Sequence, residues 1–539
     1  MELTREQKNA IECTGNMVLT ACPGSGKTTV VVEKIAKDIV NLKDFEGVIA
    51  ISHTKKASSE LMDRAKKRMC DIKCSFFGTM DKFYLKEIIH NFLPHLFGRR
   101  KDLTLLKVKD LSIEDKETVS FMLAEEYFIP RDDKQALEVI LNLYKKGCFV
   151  LELSPLLSLY LLENSYACQE YIKKRYKSLY IDEYQDSGFI QHEIFKRMAI
   201  LGLKSVAVGD VDQSIHEYAM KSSKYLKQLK EGEGGFECYE LTYNHRCHHS
   251  IVNYASRLIN SKCDLIESKD IQVYRVNIEG YFKEIAAWID STIEDVKKSF
   301  DISCNRKIAV FAVSNKSVSY FSSCLKTKNR IYIEDKLSDI GGDVSRLVKD
   351  ILQYRFNEDL TAQEIIDEYM KGSLSRREIF ELRKIIKSIR TVEEKDVIIT
   401  IKKIIAELGG HALNESHIVG IEEVLYTDAV RKSYQKMDDD EIQIMNVHKS
   451  KGLEFDCVYH LDLYDHVLPK REYITGNFDV VFKNERQCLN LHYVAITRAK
   501  KFVVLVTSTQ RHNSKGNIVQ ASPSQFFLRE GLGDLYKTL

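Results

Sequence analysis

The segment IDEYQDS at residues 181–187 places two adjacent acids, Asp182 and Glu183, directly after the short apolar run SLYI. A second segment, ACPGSGKTT at residues 21–29, lies far upstream and follows the apolar run NMVLT. An acid at the end of a strand and a glycine-rich loop between a strand and a helix are the two halves of a phosphate-binding site. Together they predict an α/β fold that binds a nucleoside triphosphate at the carboxyl ends of parallel strands.

Residues 21–29 have the composition that a phosphate-binding loop needs. Glycines allow backbone N–H groups to surround phosphate oxygens, and the helix that follows directs its positive end toward them. We predict that Lys27 contacts the β- and γ-phosphates and that Thr28 offers its hydroxyl to Mg²⁺. The other nucleotide contacts predicted in this loop are Ala21, Cys22, Pro23, Gly24, Ser25, Gly26 and Thr29. Ala21 stands where the motif usually has its first glycine.

The two acids supply the other half of the site. In NTPases with a phosphate loop, one acid at a strand end holds Mg²⁺ and a neighbouring acid acts on the attacking water. We predict that Asp182 holds Mg²⁺ together with Thr28, and that Glu183 positions or deprotonates the water. The alternative, a solvent-exposed acidic loop, is disfavoured by the phosphate loop upstream. ATP and Mg²⁺ are therefore the expected substrate and metal.

Short apolar runs rich in β-branched residues recur along the chain, and most precede a polar loop and a helical pattern. This alternation predicts parallel sheets covered by helices on both faces, and the two groups of runs predict two sheets. The runs are NMVLT (16–20), VIAIS (48–52), SLYI (178–181), SVAVG (205–209), KIAVF (307–311), CVYHL (457–461) and FVVLV (502–506). Charge-rich helical segments near 85–175 and 336–436 are predicted to be insertions, and the apolar stretch 149–162 is predicted to be a buried helix.

The composition of the 539-residue chain, with 44% hydrophobic and 29% charged residues, is that of an ordinary globular protein. The formal net charge of +2 means that a DNA-binding surface must be a local basic patch. The 13 cysteines include no C-x-x-C pair, which is typical of a reducing compartment. Neither a signal peptide nor a membrane span is predicted, so we expect a cytoplasmic protein. The acidic run MDDDE (437–441) predicts a solvated turn before a strand.

A series of ordered motifs resembles the UvrD/Rep branch of superfamily 1 DNA helicases over nearly the whole chain. They are LTREQKNAI (3–11), ISHTKKASSEL (51–61), GTMDKF (78–83), DEYQDS (182–187), VGDVDQSIHEY (208–218), LTYNHRC (241–247), IMNVHKSKGLEFDCVY (444–459) and YVAITRAKK (493–501). The resemblance implies two RecA-like parallel-sheet lobes with ATP in the cleft between them, and two helical insertions.

The resemblance also implies further nucleotide contacts. Gln7 would read adenine, Gln213 would sense the γ-phosphate, and His245 stands where the family stacks a tyrosine on adenine. Arg246 and Arg498, both from the second lobe, would stabilise charge at the γ-phosphate, which is worth about 10³ or more in rate for arginine fingers. The full set implied is Gln7, Gln213, His245, Arg246, Gly452, Glu454 and Arg498.

DNA contacts are implied in the same way. The residues that match the family's DNA-contact motifs are His53, Thr54, Lys56, Thr79, His216, Tyr218 and His448. The chain departs from the family at His53 and His216, where aromatic residues are usual, and at Ala219, where an arginine is usual. Fewer stacking and phosphate contacts predict a weaker grip on single-stranded DNA.

The motifs also predict the domain boundaries. The first lobe is predicted at 1–84 and 176–237, its insertion at 85–175, the second lobe at 238–335 and 437–539, and its insertion at 336–436. The second insertion is short for the family. This shortness, with the segment GTMDKFYLKEIIHNFLPHLFG at 78–98, resembles the helicase-like subunit of the Gabija anti-phage system. In that family the partner is a nuclease that combines an ATPase domain with a Toprim domain.

Two functional hypotheses follow from the resemblance. The first is an ATP-dependent DNA translocase or helicase of the UvrD type, moving 3′ to 5′ along single-stranded DNA in anti-phage defence. The second is an ATPase subunit that senses DNA ends and regulates a partner nuclease, with little unwinding of its own. A strand-displacement assay separates the two hypotheses, and neither implies a membrane partner.

Overall fold

The computed structural model describes residues 3–69, 71–100, 103–124, 126–213, 223–332, 335–370, 375–409, 412–472, 474, 480–513 and 515–539. The chain divides into two compact units. Unit 1 comprises Met1–Cys247 and Arg486–Tyr493, and unit 2 comprises His248–Glu485 and Val494–Leu539. Each unit is built around its own parallel sheet.

Unit 1 contains a six-stranded, fully parallel sheet in the order β3-β2-β6-β7-β1-β8. The remaining two strands of the unit, β4 and β5, pair with each other within the insertion. The strands are β1 (Met17–Ala21), β2 (Gly47–Ile51), β3 (Phe76–Gly78), β4 (Thr104–Leu106), β5 (Cys148–Val150), β6 (Tyr176–Ile181), β7 (Lys204–Gly209) and β8 (Glu237–Leu241).

Helices cover the unit 1 sheet on both faces. One hydrophobic cluster joins strand residues such as Val48 to Val30 of α2, and another joins Ile49 to Leu157 of α8 in the insertion. Because both faces are buried, the strands read as continuous apolar runs in the sequence. The helices are α1 (Arg5–Glu12), α2 (Lys27–Ile39), α3 (Lys55–Met69), α4 (Met80–Phe83), α5 (His90–Phe97), α6 (Ile113–Val119), α7 (Lys134–Lys145), α8 (Ser154–Asn164), α9 (Tyr166–Arg175), α10 (Phe189–Ile200) and α11 (Lys224–Lys230).

Unit 2 contains a seven-stranded parallel sheet in the order β11-β12-β10-β13-β16-β9-β19. Two short antiparallel pairs, β14 with β15 and β17 with β18, lie outside it. The strands are β9 (Val273–Ile278), β10 (Ile308–Ala312), β11 (Asn329–Tyr332), β12 (Ile442–Asn446), β13 (Phe455–His460), β14 (Arg471–Glu472), β15 (Val481–Phe482), β16 (Ala499–Ser508), β17 (Gln510–His512), β18 (Ile518–Gln520) and β19 (Lys537–Thr538).

A helical insertion between β11 and β12 has a hydrophobic core of its own, in which Ile351, Ile386, Ile401 and Ile421 are fully buried. Helices α15 to α21 form this insertion, and α22 contributes Arg486–Tyr493 to unit 1. The helices are α12 (His249–Ile259), α13 (Phe282–Ser299), α14 (Asn315–Cys324), α15 (Lys336–Ile340), α16 (Gly342–Phe356), α17 (Ala362–Tyr369), α18 (Arg376–Ser388), α19 (Val397–Glu407), α20 (Glu415–Tyr426), α21 (Asp428–Lys432) and α22 (Glu485–Ile496).

The predicted α/β class with two parallel sheets is confirmed, and each of the seven apolar runs named above overlaps one of their strands. Two details differ from the prediction. The boundary placed at 237/238 falls inside β8, which pairs with β1, and unit 1 continues to Cys247. The stretch 149–162 begins in β5, passes through a 3₁₀ turn at Leu151–Leu153 and becomes α-helical at Ser154, with Pro155 in the first turn of α8.

Two further sequence expectations can be compared with the structure. Within the ranges described above, no helix is both long and apolar enough to cross a membrane. Each cysteine in those ranges is a free thiol.

The acidic run at 437–441 is only partly the solvated turn that its sequence predicts. Asp439 and Asp440 are exposed, but the side chain of Glu441 is 6% exposed and lies 2.8 Å from the guanidinium of Arg330, which is 5% exposed. Arg330 also donates to the carbonyl oxygens of Gln435 and Lys436. A strand residue of the unit 2 sheet thus holds the point where the chain returns from the insertion.

We expect Glu441→Gln to destabilise unit 2, because it leaves the Arg330 guanidinium buried without its countercharge. Breaking a buried ion pair from one side costs about 3–5 kcal/mol. The free energy of unfolding is measured in urea by the fluorescence of Trp288, the single tryptophan of the chain, which lies on α13 in unit 2. The control is Asp439→Asn, whose partner Arg306 is solvent-exposed. Equal stability of the two variants would contradict the prediction.

Candidate nucleotide and DNA site

The carboxyl edge of the unit 1 sheet collects the predicted nucleotide and DNA residues of that unit. Because all of its strands run in the same direction, the loops that follow them emerge side by side. In spatial order across the sheet, these loops begin with Thr79, Ser52, Asp182, Asp210, Cys22 and Thr242. The loop of Asp210 therefore lies between the acid loop and the phosphate loop.

The phosphate loop has the backbone that anion binding requires. Gly24 (φ 72°) and Gly26 (φ 84°) lie in the left-handed region, which other residues rarely adopt. Ser25 is buried, and its hydroxyl donates to the carbonyl oxygen of Cys22 at 2.8 Å. Lys27 is the first residue of α2 and Thr28 follows it, so both lie at the positive end of this helix.

Gln7 of α1 packs directly against the phosphate loop. Its Nε2 donates to the carbonyl oxygen of Ser25 at 2.9 Å, and its Oε1 accepts from the N–H of Thr4 at 3.0 Å. A Cβ at position 26 would lie 2.5 Å from Gln7 Nε2, so Gly26 is needed for this approach as well as for its backbone angle. The amide of Gln7 therefore shapes the loop, and its contact with adenine stays a prediction.

The buried ammonium group of Lys34, on α2, holds the end of α1. It donates to the carbonyl oxygens of Ala10 at 3.1 Å and Cys13 at 2.7 Å. Carbonyl oxygens at the C-terminal end of a helix have no N–H partner within the helix itself. Burial, reinforced by the charge of Lys204, lowers the pKa of Lys34 to about 8. The group is still charged at neutral pH, and it positions the helix that carries Gln7.

The loop after β8 lies against the phosphate loop. The N–H of His245 donates to the carbonyl oxygen of Gly24 at 2.9 Å, and a Cβ on Gly24 would lie 2.5 Å from the Cβ of Arg246. The buried side chain of Asn244 accepts from the N–H groups of Arg246 at 2.7 Å and Cys247 at 2.9 Å. Arg246 thus lies in unit 1 with the phosphate loop, not in the second unit as the predicted boundary implied.

The predicted acids follow β6 directly. The N–H of Asp182 donates to the carbonyl oxygen of Ile51 at 2.9 Å, and its Oδ1 accepts from the N–H of Glu183 at 3.0 Å. Glu183 has left-handed backbone angles (φ 58°, ψ 40°), a conformation that costs a non-glycine residue about 1–3 kcal/mol. Both acids are half-buried. Strain of this kind is concentrated at functional sites, and the catalytic role of Glu183 stays a prediction.

Asp210 is a third acid at this edge, and sequence reasoning did not single it out. Its Oδ2 accepts from Nε2 of Gln213 at 2.7 Å, and its Oδ1 accepts from the N–H of Asp212 at 3.0 Å. Burial raises the pKa of Asp210 from its ordinary value, and the charge of Lys27 opposes this shift. Its position after an apolar run, in GDVDQ, was the signal available in the sequence.

The structure describes some of the residues predicted to contact DNA and not others. His53 and Thr54 are exposed after β2, and Thr79 is the N-cap residue of α4 after β3. These three lie on the same sheet edge as the phosphate loop. The side chain of Lys56 lies outside the described residues, as do His216, Tyr218 and Ala219.

The remaining predicted residues belong to unit 2. Arg498 is 2% exposed, and its guanidinium donates to the carbonyl oxygens of Val494 at 3.1 Å and Leu453 at 3.5 Å. Glu454 is exposed and pairs with Lys500 at 2.5 Å. Exposed Gly452 and half-buried His448 lie in the segment that leads into β13.

Two family models match the chain. The AAA domain matches residues 7–219, and the UvrD-like helicase C-terminal domain matches residues 351–510. With the two parallel sheets and the phosphate loop, these matches define the class. The chain carries the AAA and UvrD-like C-terminal domains of UvrD/Rep-like superfamily 1 helicases, and these domains support DNA-dependent ATPase and DNA helicase activity.

Similar proteins cover almost the whole chain. The Gabija protein GajB of Bacillus cereus (strain VD045) is 27% identical over 95% of this chain and 96% of its own length. The ATP-dependent DNA helicase Rep of Buchnera aphidicola subsp. Schizaphis graminum is 24% identical over 99% of this chain and 97% of its own. The ATP-dependent DNA helicase PcrA of Staphylococcus aureus (strain Mu50) is 22% identical over 94% of this chain and 83% of its own.

We expect Lys34→Met to weaken the apparent affinity for ATP, because α1 loses its anchor and Gln7 no longer supports the phosphate loop. If the free energy of ATP binding becomes ~1.4 kcal/mol less favourable, KM for ATP rises about tenfold. Steady-state kinetics measure KM, and thermal unfolding shows whether the variant is folded. Lys37→Met, an exposed position on the same helix, is the control. A wild-type KM in folded Lys34→Met would refute this role of the ammonium group.

Proposed function

We propose that this protein hydrolyses ATP at the carboxyl edge of the unit 1 sheet and uses the free energy to move along single-stranded DNA. The observation that carries this proposal is the juxtaposition of the phosphate loop, the acid pair and the Asp210 loop at that edge. Thr79 and His53, which match DNA-contact motifs, lie at its other end. The proposed direction, 3′ to 5′, rests on the resemblance of the sequence motifs to the UvrD/Rep branch.

Each residue has a proposed part in hydrolysis. Lys27 holds the β- and γ-phosphates, and Arg246, which packs beside Gly24, stabilises charge that develops on the γ-phosphate. Glu183 orients the attacking water and accepts its proton. Gln213 detects the γ-phosphate. Arg498 is proposed as the arginine finger.

Mg²⁺ fits the donor set that Thr28 and Asp182 provide. A hydroxyl and a carboxylate are the oxygen ligands that this ion prefers, and both residues lie half-buried at the same sheet edge. When bound, the ion neutralises phosphate charge. Asp182 is therefore proposed as a metal ligand, and Glu183 remains the group that acts on water.

A second candidate function is the regulation of a nuclease in anti-phage defence. Similarity to a Gabija protein over 95% of the chain supports it. In this alternative, DNA ends stimulate ATP hydrolysis, and the ATPase licenses a partner nuclease with ATPase and Toprim domains. Both functions place the protein in the cytoplasm, where its DNA and ATP are.

We expect Lys27→Ala to abolish ATP hydrolysis and Glu183→Gln to preserve ATP binding without turnover. In Glu183→Gln, loss of the proton acceptor lowers kcat by about 10²–10⁴-fold, whereas the contacts between the loop and the phosphates are unchanged. Phosphate release measures turnover, and a fluorescent non-hydrolysable ATP analogue measures binding. Lys37→Ala, on α2 outside the loop, is the matched control. Wild-type hydrolysis by Lys27→Ala would show that the nucleotide site is elsewhere.

We expect single-stranded DNA to stimulate the ATPase and to support strand displacement if the protein is a motor. Titrations with single-stranded, blunt duplex and nicked DNA, each with wild type and Glu183→Gln, measure the two activities. Stimulation by ends with no displacement of a 3′-tailed duplex strand would favour the regulatory function. Displacement only from 5′-tailed duplexes would overturn the proposed direction.

A further inference from the structure

One buried amide connects the acid loop with the loop after β7. Gln185 is 0% exposed and lies in the 3₁₀ turn Tyr184–Asp186. Its Nε2 donates to the carboxylate of Glu183 at 2.5 Å, and its Oε1 accepts from the N–H of Asp210 at 3.0 Å. The same side chain therefore contacts the proposed proton acceptor and the backbone of the neighbouring loop.

The position of this amide depends on Gly209, the last residue of β7. A Cβ at residue 209 would lie 2.5 Å from Gln185 Oε1 and 2.8 Å from a methyl group of Leu226. Only a residue without a side chain allows the amide to reach the backbone here. The backbone angle of Gly209 is not left-handed, so space alone requires glycine.

The contacts continue beyond Asp210. Its carboxylate accepts from the side chain of Gln213 at 2.7 Å, and both residues are buried, at 6% and 3% exposure. Glu183, Gln185, Asp210 and Gln213 thus form one chain of hydrogen bonds. In a buried environment such bonds have little competition from water, so displacement of one group also displaces its hydrogen-bond partner.

We propose that Gln185 is a positioning residue that sets the carboxylate of Glu183 according to the state of the Gln213 loop. The inference rests on the proposed function, because it takes Glu183 as the group that acts on water. When the γ-phosphate draws Gln213 toward it, Asp210 moves with Gln213, and the amide of Gln185 shifts Glu183. Hydrolysis then follows only when Gln213 contacts the γ-phosphate. The bond to a charged carboxylate distinguishes this amide from one that merely fills the core.

The test is Gln185→Met, which retains the length of the side chain and removes both its donor and its acceptor. We expect kcat to fall about 10²-fold, as for a misplacement of a reacting group by roughly 1 Å. KM for ATP and binding of a non-hydrolysable ATP analogue should stay within about twofold, since the phosphate loop is untouched. Gln191→Met is the control, because the Gln191 amide oxygen accepts from the N–H of Gly188 at the start of α10.

A double-mutant cycle separates positioning from general structural damage. If Gln185 acts through Glu183, adding Gln185→Met to Glu183→Gln causes no further loss of kcat. Gln185→Glu, which keeps the shape but loses the donor, is measured in parallel, so a folding defect in one variant still leaves a test. Wild-type kcat in a folded Gln185 variant, or full additivity in the cycle, overturns the inference. Wild-type turnover by Glu183→Gln instead overturns the proposed function.

Discussion

The common direction of the strands in the unit 1 sheet is the constraint from which the site follows. Parallel strands deliver every loop from a carboxyl end to one edge, and each strand is separated from its neighbour by only about 5 Å. Segments as distant in sequence as Thr79, Asp182, Asp210 and Cys22 therefore become neighbours. Reversing any one strand would move its loop to the opposite edge and remove its residues from the site.

The site also requires neighbouring segments to lie close to the backbone of its loops, and three glycines allow this in different ways. Gly26 has a left-handed backbone and also makes room for the amide of Gln7. Gly24 is left-handed and abuts Asn244 and Arg246. Gly209 needs only space, for Gln185. A methyl group at any of these positions would displace a side chain that forms hydrogen bonds with a functional loop.

The apolar runs of the interior strands were predictable because a strand buried on both faces is apolar throughout. Some of the strands that the sequence does not predict lack this pattern. β8, at the edge of its sheet, reads ECYEL and is mostly exposed, and β3 has three residues. Because β8 lacks a continuous apolar pattern, the boundary that the sequence predicts falls too early and places Arg246 in the second unit, whereas the structure places it in unit 1. The sequence likewise predicts Glu441 to be part of a solvated turn, because its partner Arg330 lies 111 positions away (441 − 330).

The sequence alone determined the α/β class, the phosphate loop, the acid pair and the helicase resemblance. These depend on local spacing: glycines before Lys27, and acids directly after an apolar run. Three contacts are visible only in the folded protein: Lys34 anchors α1, the N–H of His245 holds the loop of Arg246 against Gly24, and Gln185 joins the acid loop to the loop of Asp210. Each is a hydrogen bond between segments that are separated in the sequence and become neighbours only when the chain folds, so no local sequence pattern indicates it.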